Sequence, residues 1–161
     1  MGIRRRGRER AVQALYEWAL TGRRLDTVLE RFWRAHEEPE DIRRFAEELV
    51  RGTAERTDHI DALIDHQAVN WRLDRLSRVD RSILRLGVYE LLNEPETPAA
   101  VVIDEAIELA KRFSGPGSGQ FVNGILDGIR KRIEAGEAGD PDEGADTEDA
   151  SAGDAGVEET G

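Results

Sequence analysis

The sequence predicts an all-α protein in which six or seven helices pack into one compact bundle. Over residues 4–133, apolar side chains recur at intervals of three and four residues, which is the period of a helix with one buried face. No run of four or more residues alternates between apolar and polar side chains as a strand does. The chain has 161 residues, 39% of them hydrophobic, which suffices for one domain with a sizeable core.

The first three predicted helices each follow from an apolar face and an end signal. Residues 4–20 form an amphipathic helix that ends at Thr21-Gly22 and has the apolar face Val12, Leu15, Tyr16 and Ala19. A second helix has the face Leu25, Val28, Leu29, Phe32 and Trp33. Pro39 suits the first turn of one long third helix, whose face is Ile42, Phe45, Leu49, Val50, Ile60, Leu63 and Ile64.

The second half of the chain predicts three further helices. The segment 73–92 has the stripe Leu76, Val79, Ile83, Leu86 and Leu91, and we expect Gly87 inside it to permit close approach of another helix. Thr97-Pro98 provides a cap and a first-turn proline for a helix with the face Val102, Ile103, Ala106, Ile107, Ala110 and Phe113. After the break "SGPGSG", Ser118 is expected to cap a last helix with the face Phe121, Val122, Ile125, Leu126, Ile129 and Ile133.

The net charge of -11 is distributed unevenly along the chain. Ten of the 34 acidic residues lie in residues 137–161, which contain no Lys or Arg and one large apolar side chain, Val157. Residues 1–136 contain the other 24 acidic residues and all 23 Lys and Arg, so this part of the chain is close to neutral. We therefore predict a helical domain over 1–136 and a disordered acidic tail over 137–161, because the tail cannot bury enough surface to offset the entropy of ordering. The tail either competes with anionic ligands or merely solubilises the protein.

Five arginines crowd the first two turns of the first helix: Arg4, Arg5, Arg6, Arg8 and Arg10. Their mutual repulsion and the helix dipole both disfavour this arrangement, so local stability does not explain it. Two interpretations remain open, a solvated terminus and a site for nucleic acid. Binding of a single strand also needs exposed aromatic rings on which bases stack. Tyr16 and Phe121 are the candidates, although aromatic residues at helical spacing also suit a core.

Several other functions are excluded or disfavoured. With zero cysteines there is no disulfide, thiolate metal site or cysteine nucleophile, and no apolar run is long enough to span a membrane. "GPGSG" follows a helix and lacks the Lys-Ser or Lys-Thr of a phosphate loop. The set Asp58, His59, Asp61, Asp65 and His66 has weak ligand spacing and favours a solvated polar face, as do the charges Arg78, Asp80, Arg81 and Arg85. We expect a cytoplasmic protein without enzymatic activity, metal or cofactor.

Three segments, in this order and spacing, resemble the NusB family of bacterial transcription antitermination factors. They are "RRRGRERAVQALYEW" (4–18), "VDRSILRLGVYELL" (79–92) and "VIDEAIELAKRF" with "QFVNGILDGI" (102–113 and 120–129). The resemblance extends over residues 3 to about 134. It implies two packed helical subdomains and no catalytic activity. It also implies binding of the boxA segment of nascent ribosomal RNA, together with the ribosomal protein NusE, other Nus factors and RNA polymerase.

The resemblance further implies roles for individual residues. Arg4, Arg5 and Arg6 match the RNA-binding arm of the family, and with Arg8 they would neutralise phosphates. Tyr16 and Phe121 match aromatic residues beside the RNA, while Gln120 stands where the family often has a basic residue. Asp80, with its neighbour Arg78, matches the surface for NusE. The alternative is a helical protein-protein adaptor that binds no RNA, and pairing of two copies is left open.

Overall fold

The computed structural model describes residues 2–71 and 76–138, and these form seven α-helices without a strand. The helices are α1 (Ile3–Thr21), α2 (Leu25–Ala35), α3 (Glu40–Glu55), α4 (Thr57–Ala68), α5 (Arg78–Asn93), α6 (Ala99–Phe113) and α7 (Ser118–Glu134). A 3₁₀ turn, Val69–Trp71, extends α4. The predicted all-α class is thereby confirmed. Within these ranges no helix combines the length and apolarity needed to cross a membrane, and the acidic tail from residue 139 on lies outside them.

The helices form the two packed groups that the family resemblance implied. The first three helices contact one another, and α4 to α7 form the second group, in which α5 contacts α4, α6 and α7. The two groups meet where α5 packs against α1 and α3. One continuous core runs through both, and its largest fully buried side chains include Leu15, Phe32, Leu49, Ile64, Leu86 and Leu126. The first turns of α1 therefore lie against helices of both groups.

The predicted long third helix is wrong, because the chain turns between α3 and α4. Arg56 joins the two helices with φ -112 and ψ 16, and its N–H donates to the carbonyl of Thr53 at 3.2 Å. The hydroxyl of Thr53 donates to the carbonyl of Leu49, and that of Thr57 donates to the carbonyl of Thr53. Threonine hydroxyls that bond backward in this way compete with the helical ladder and bend it. The apolar pattern continued across the turn because both helices bury their faces in the same core.

The helix ends lie within one residue of the predicted end signals, although only one signal is in the predicted position. Gly22 ends α1 in the left-handed conformation, with φ 67. Pro39 and Pro98 each stand one residue before their helices rather than inside the first turn. Ser118 was predicted as a cap, but it is the first residue of α7, and the capping position belongs to Gly117 with φ 91. The hydroxyl of Ser118 is instead 2.9 Å from that of Ser114, within the loop before the helix.

Gly87 permits close helix approach, as predicted. It is buried on α5, and a β-carbon at this position would lie 2.9 Å from Cδ1 of Leu126 on α7. A separation below 3.0 Å requires the leucine or the helix to move. The absence of a side chain at Gly87 therefore permits the close approach of α7 to α5. Residues 114–117 form a glycine-rich loop directly before α7, so this contact also places the loop relative to the rest of the bundle.

Candidate nucleic-acid interface

Among the five arginines of α1, the outer three are more exposed than the inner two, Arg8 and Arg10. Arg4 is exposed, and the side chain of Arg5 is 51% exposed. The value falls to 32% for Arg6, and it is 5% for Arg8 and 12% for Arg10. The gradient arises because the first turn of α1 stands at the edge of the bundle, while the second is covered by α3 and α5. Only the outermost arginines can reach a ligand without disturbing the core.

Arg4 and Arg5 form the outer end of the arginine cluster. The guanidinium of Arg4 donates a long hydrogen bond of 3.4 Å to the hydroxyl of Thr97 and lies 5.6 Å from the ring centre of Phe45. Among the described residues, no carboxylate lies within ion-pair distance of it. Arg5 donates from Nε and one terminal nitrogen to the two oxygens of Glu105, at 3.2 and 2.9 Å. These hydrogen bonds raise the pKa of Arg5, which stays charged at all physiological pH values.

Arg6 and Arg10, one helical turn apart, share a single acid. Both donate from Nε to the same oxygen of Glu38 at 2.7 Å, and the side chain of that acid is 6% exposed. Burial acts to raise the pKa of Glu38, but the hydrogen bonds from Arg10 and Arg6 outweigh it and hold the pKa below its ordinary value. Arg6 also contacts Glu9 at 3.3 Å. These arginines therefore attach α1 to the loop between α2 and α3.

Arg8 was predicted to neutralise an RNA phosphate, but it is buried and already paired with an acid of the protein. Its Nε lies 2.9 and 3.1 Å from the two oxygens of Glu90 on α5, and both side chains are at most 5% exposed. Burial raises the pKa of Glu90, and the charge of Arg8 opposes that rise. The expected repulsion among the arginines is thus relieved largely by acids of the protein itself. Glu90 was not recognised in the sequence because its partner is 82 residues away.

Tyr16 is half-buried at the edge of an apolar groove between the two helical groups. The groove has a volume of about 390 Å³ and includes Val12, Leu20, His36, Val79 and Phe113 in its lining. Tyr16 lies almost two turns beyond Arg10 on α1. Part of its side chain is thus accessible to a partner.

The loop between α6 and α7 brings Gln120 and Phe121 to the surface with different exposure. Gln120 is exposed and lines a concave site of about 550 Å³ with Lys111, Pro116 and Asn123. Phe121 is half-buried and packs against the core. The ring therefore serves the core in part, and one portion of it remains available for stacking.

Two basic residues of this region were missed in the sequence. Lys111 lines the site beside the loop, and it also lines a second site of about 250 Å³ that contains Arg5, Glu105 and Arg112. The side chains of Lys111 and Arg112 are 66% and 53% exposed. They stand in the last turn of α6, where cations commonly complement the helix dipole, so their position in the sequence did not suggest binding. The fold places them between the outer arginines and the glycine-rich loop.

Asp80 was predicted to meet a protein partner, but its carboxylate is largely used within the fold. The residue is 7% exposed, and one of its oxygens accepts a 2.7 Å hydrogen bond from Ser114. Its backbone N–H donates to the hydroxyl of Ser77, the capping residue of α5. Asp80 thus connects the start of α5 to the loop after α6. Arg78 is exposed, and it is the more accessible of the two predicted partner residues.

Asp61 and Asp65 of α4 pair with arginines of α5, on a face that stays exposed at Asp58, Asp65 and His66, as predicted for a solvated polar face. Arg85 donates to both oxygens of Asp61 at 2.8 and 2.7 Å, and Arg81 donates to Asp65 at 2.8 Å. Burial acts to lower the pKa of Arg81, but the bonds and charges of Asp65 and Asp61 raise it overall. Residues 2–71 and 76–138 contain no group of three or more His, Asp or Glu side chains arranged to hold a metal ion. The ion pairs of these aspartates and arginines connect α4 to α5.

The family model described as "NusB family" matches residues 5–131, which covers every helix except the ends of α1 and α7. The protein belongs to the NusB family. The match includes the arginine cluster from Arg5, the groove beside Tyr16 and the glycine-rich loop. A NusB transcription antitermination protein of Myxococcus xanthus is 48% identical over 133 residues, which are 80% of this chain and 95% of the relative.

Solved NusB structures agree with the fold. The NusB of T. maritima is 42% identical, and the match covers 80% of this chain and 90% of that one with a TM-score of 0.70. A crystal structure of the antitermination factors NusB and NusE in complex with double-stranded RNA contains a chain that is 30% identical. That match covers 81% of this chain and 98% of the other, with a TM-score of 0.72. The family resemblance seen in the sequence is confirmed.

Proposed function

We propose that this NusB-family protein is a transcription antitermination factor that binds boxA RNA in nascent ribosomal transcripts. It acts with NusE, other Nus factors and RNA polymerase to prevent premature termination, in the cytoplasm and without catalysis. The observation that carries the proposal is the outward exposure of Arg4 and Arg5, whereas the inner arginines of the same helix are engaged by buried acids. The NusB of one solved relative is itself in a complex with NusE and RNA.

The RNA backbone follows a track from the outer arginines to the glycine-rich loop. Arg4, Arg5 and Lys111 supply exposed positive charge, and Lys111 borders both concave sites along the way. Arg6 lies at the inner limit of the track, and Arg8 is not part of it. If three phosphates are neutralised, log K falls with log salt at a slope of about -2, since each contact on a single strand contributes about 0.7.

The bases are recognised by aromatic and amide side chains beside this track. Phe121 offers part of its ring for stacking, Gln120 offers an amide in place of a charge, and Tyr16 lies beyond the arginines on α1. Stacking on an aromatic side chain is worth about 1–3 kcal/mol for each base and tolerates any base. Hydrogen bonds from the amide and the phenol supply the preference for sequence.

Phe121→Ala should weaken RNA binding by about 1–3 kcal/mol if the ring stacks. Because the ring also packs against the core, thermal stability should fall as well. Phe121→Leu is the matched control, since it keeps an apolar side chain in the core but cannot stack. Titration of RNA at a temperature where all three proteins are folded separates the effects. Equal affinity of the leucine variant and the wild type would assign Phe121 to the core alone.

The surface for NusE includes Arg78, and Asp80 keeps the neighbouring loop in position. Arg78 is exposed at the start of α5, next to the apolar groove that Val79 and Tyr16 line. Asp80 holds the loop after α6 in place through Ser114. Arg78→Glu should weaken binding of NusE about tenfold in a pull-down or calorimetric titration, the effect of reversing one rim charge. RNA binding by the isolated protein should persist, and loss of both would mean that the variant has disturbed the fold.

The decisive experiment compares a boxA-like RNA with a scrambled RNA of equal length and composition. Titration of both at several salt concentrations should show tighter binding of the boxA-like strand, with a salt slope near the value given above. The adaptor alternative predicts equal and weak binding of the two strands.

The division into a helical body, residues 1–136, and an acidic tail, 137–161, belongs to the same proposal. Glu137 and Ala138 still contact the body, since Ala138 is 2% exposed.

A further inference from the structure

Glu105 of α6 occupies the binding face of Arg5 that a phosphate would use. Its two oxygens accept from Nε and a terminal nitrogen of Arg5, in the bidentate fork geometry that guanidinium groups also adopt with phosphate. The side chain of Glu105 is 17% exposed and that of Arg5 is 51% exposed. An incoming strand therefore meets an arginine whose best donors already have an acceptor. Binding through that face requires the carboxylate to leave.

We propose that Glu105 is an internal competitor of RNA for Arg5 and that this competition sets the affinity of the track. The proposal rests on the RNA-binding function proposed above. When RNA binds, a phosphate takes the place of the carboxylate, and Glu105 turns into the adjoining concave site. That site also contains Arg112, which is close enough to offset part of the charge of the released carboxylate.

The other acids of the arginine cluster are poor competitors because they cannot leave. Glu38 is 6% exposed and holds two arginines at once. Glu90 is 3% exposed, so releasing it from Arg8 would strand a buried charge. The pair of Arg5 with Glu105 is the one in which the arginine is half exposed, and exposed ion pairs are weak. Exchange with a phosphate is thus feasible at Arg5 and unfavourable at the inner arginines.

The other charges around Glu105 also weaken the attraction of this site for RNA. The concave site around it is lined by three cations and three acids, namely Arg5, Lys111, Arg112, Glu9, Glu105 and Glu108. The acids offset the field of the cations, so this part of the track attracts polyanions less than its arginines and lysine alone would. Arg4, which lacks such an acid among the described residues, provides the first contact. Arg5 then adds affinity only after its acid has been displaced.

The test is titration of a boxA-like RNA with the full chain and with Glu105→Gln. The variant should bind about two- to fivefold more tightly, which is the effect expected from releasing one exposed ion pair. In the wild type, the carboxylate that RNA displaces takes up a salt cation, which offsets part of the counterion release. The variant has no such carboxylate, so its salt slope should be steeper by up to about 0.7. Glu30→Gln is the matched control. It removes the same charge from an exposed pair with Arg34 on α2, and it should leave the affinity unchanged.

A double-mutant cycle determines whether Glu105 acts through Arg5. In an Arg5→Gln background, Glu105→Gln should no longer tighten binding. Glu105→Asp keeps the charge but withdraws the carboxylate by one methylene, so it should tighten binding less than Glu105→Gln does. Unchanged or weaker binding by Glu105→Gln, or tightening that persists without Arg5, overturns the proposal. A wild-type protein that does not distinguish boxA-like from scrambled RNA instead overturns the proposed function.

Discussion

Arg4 and Arg8 stand one helical turn apart on the same face of α1, yet their environments differ almost completely. Both guanidinium groups lie near the ring of Phe45, at 5.6 and 6.0 Å from its centre. Arg8 is 4% exposed and bound to Glu90, whereas Arg4 is exposed and bound only weakly to Thr97. Position along the helix axis, rather than helical face, thus decides whether an arginine supports the fold or is available to a ligand. The same gradient separates Arg6 from Arg10.

Replacing Arg8 provides the most severe test of this comparison. Arg8→Met should lower the free energy of unfolding by about 3–5 kcal/mol, because it leaves Glu90 as an uncompensated buried charge. Urea denaturation followed by circular dichroism measures the loss. The double variant with Glu90→Met should recover much of the stability, since an apolar pair can replace a buried ion pair. A loss below about 1 kcal/mol in Arg8→Met would place Arg8 with the outer arginines.

Replacing Arg4 should give the complementary result. Arg4→Gln should change the free energy of unfolding by less than about 0.5 kcal/mol, as expected for an exposed side chain. It should weaken RNA binding about three- to tenfold, and the salt slope should become shallower by about 0.7, because one phosphate contact is lost. Titration over a range of salt concentrations, with denaturation of the same preparation, measures both quantities. Lost stability at unchanged affinity would reverse the assignments of Arg4 and Arg8.

The sequence predicted the helices well because their apolar faces are regular. Residues such as Val12, Leu15, Ile125 and Ile129 are buried at the spacing that predicted them. The one large error, the continuous helix through Arg56, arose because an apolar stripe reports which face is buried but not whether the axis bends. Hydroxyls of threonine that bond backward leave no mark on that stripe.

The interface could be predicted only in part, because charge pairing is decided by residues far apart in the chain. Arg5 meets Glu105 over a separation of 100 residues, and Arg8 meets Glu90 over one of 82. The arginine cluster was visible in the sequence, but the acids that engage most of it were not. Lys111 was overlooked for the same reason, since its place between Arg5 and the glycine-rich loop depends on how α6 packs.

The smallest expected effect concerns Glu38, and it tests the boundary between the inner and outer arginines. Its pKa is below the ordinary value of about 4.3, so in the folded protein it stays charged at a pH where the unfolded chain binds a proton. Its contribution to stability is therefore present above that ordinary value and is lost as the pH falls through the lower folded pKa. The pKa of Glu90 is shifted upward, so its contribution has the opposite sign and declines as the pH rises.

Glu38→Gln removes the pH-dependent contribution of Glu38 and keeps that of Glu90. The difference in free energy of unfolding between wild type and variant should be largest near neutral pH and should shrink as the pH falls through the lowered pKa of Glu38, because a protonated Glu38 resembles glutamine. Urea denaturation of both proteins across this range measures it. If the difference did not depend on pH, Glu38 would hold Arg6 and Arg10 by hydrogen bonding and packing rather than by its charge. The inner arginines would then be fixed by packing, as Arg8 is in part by Phe45.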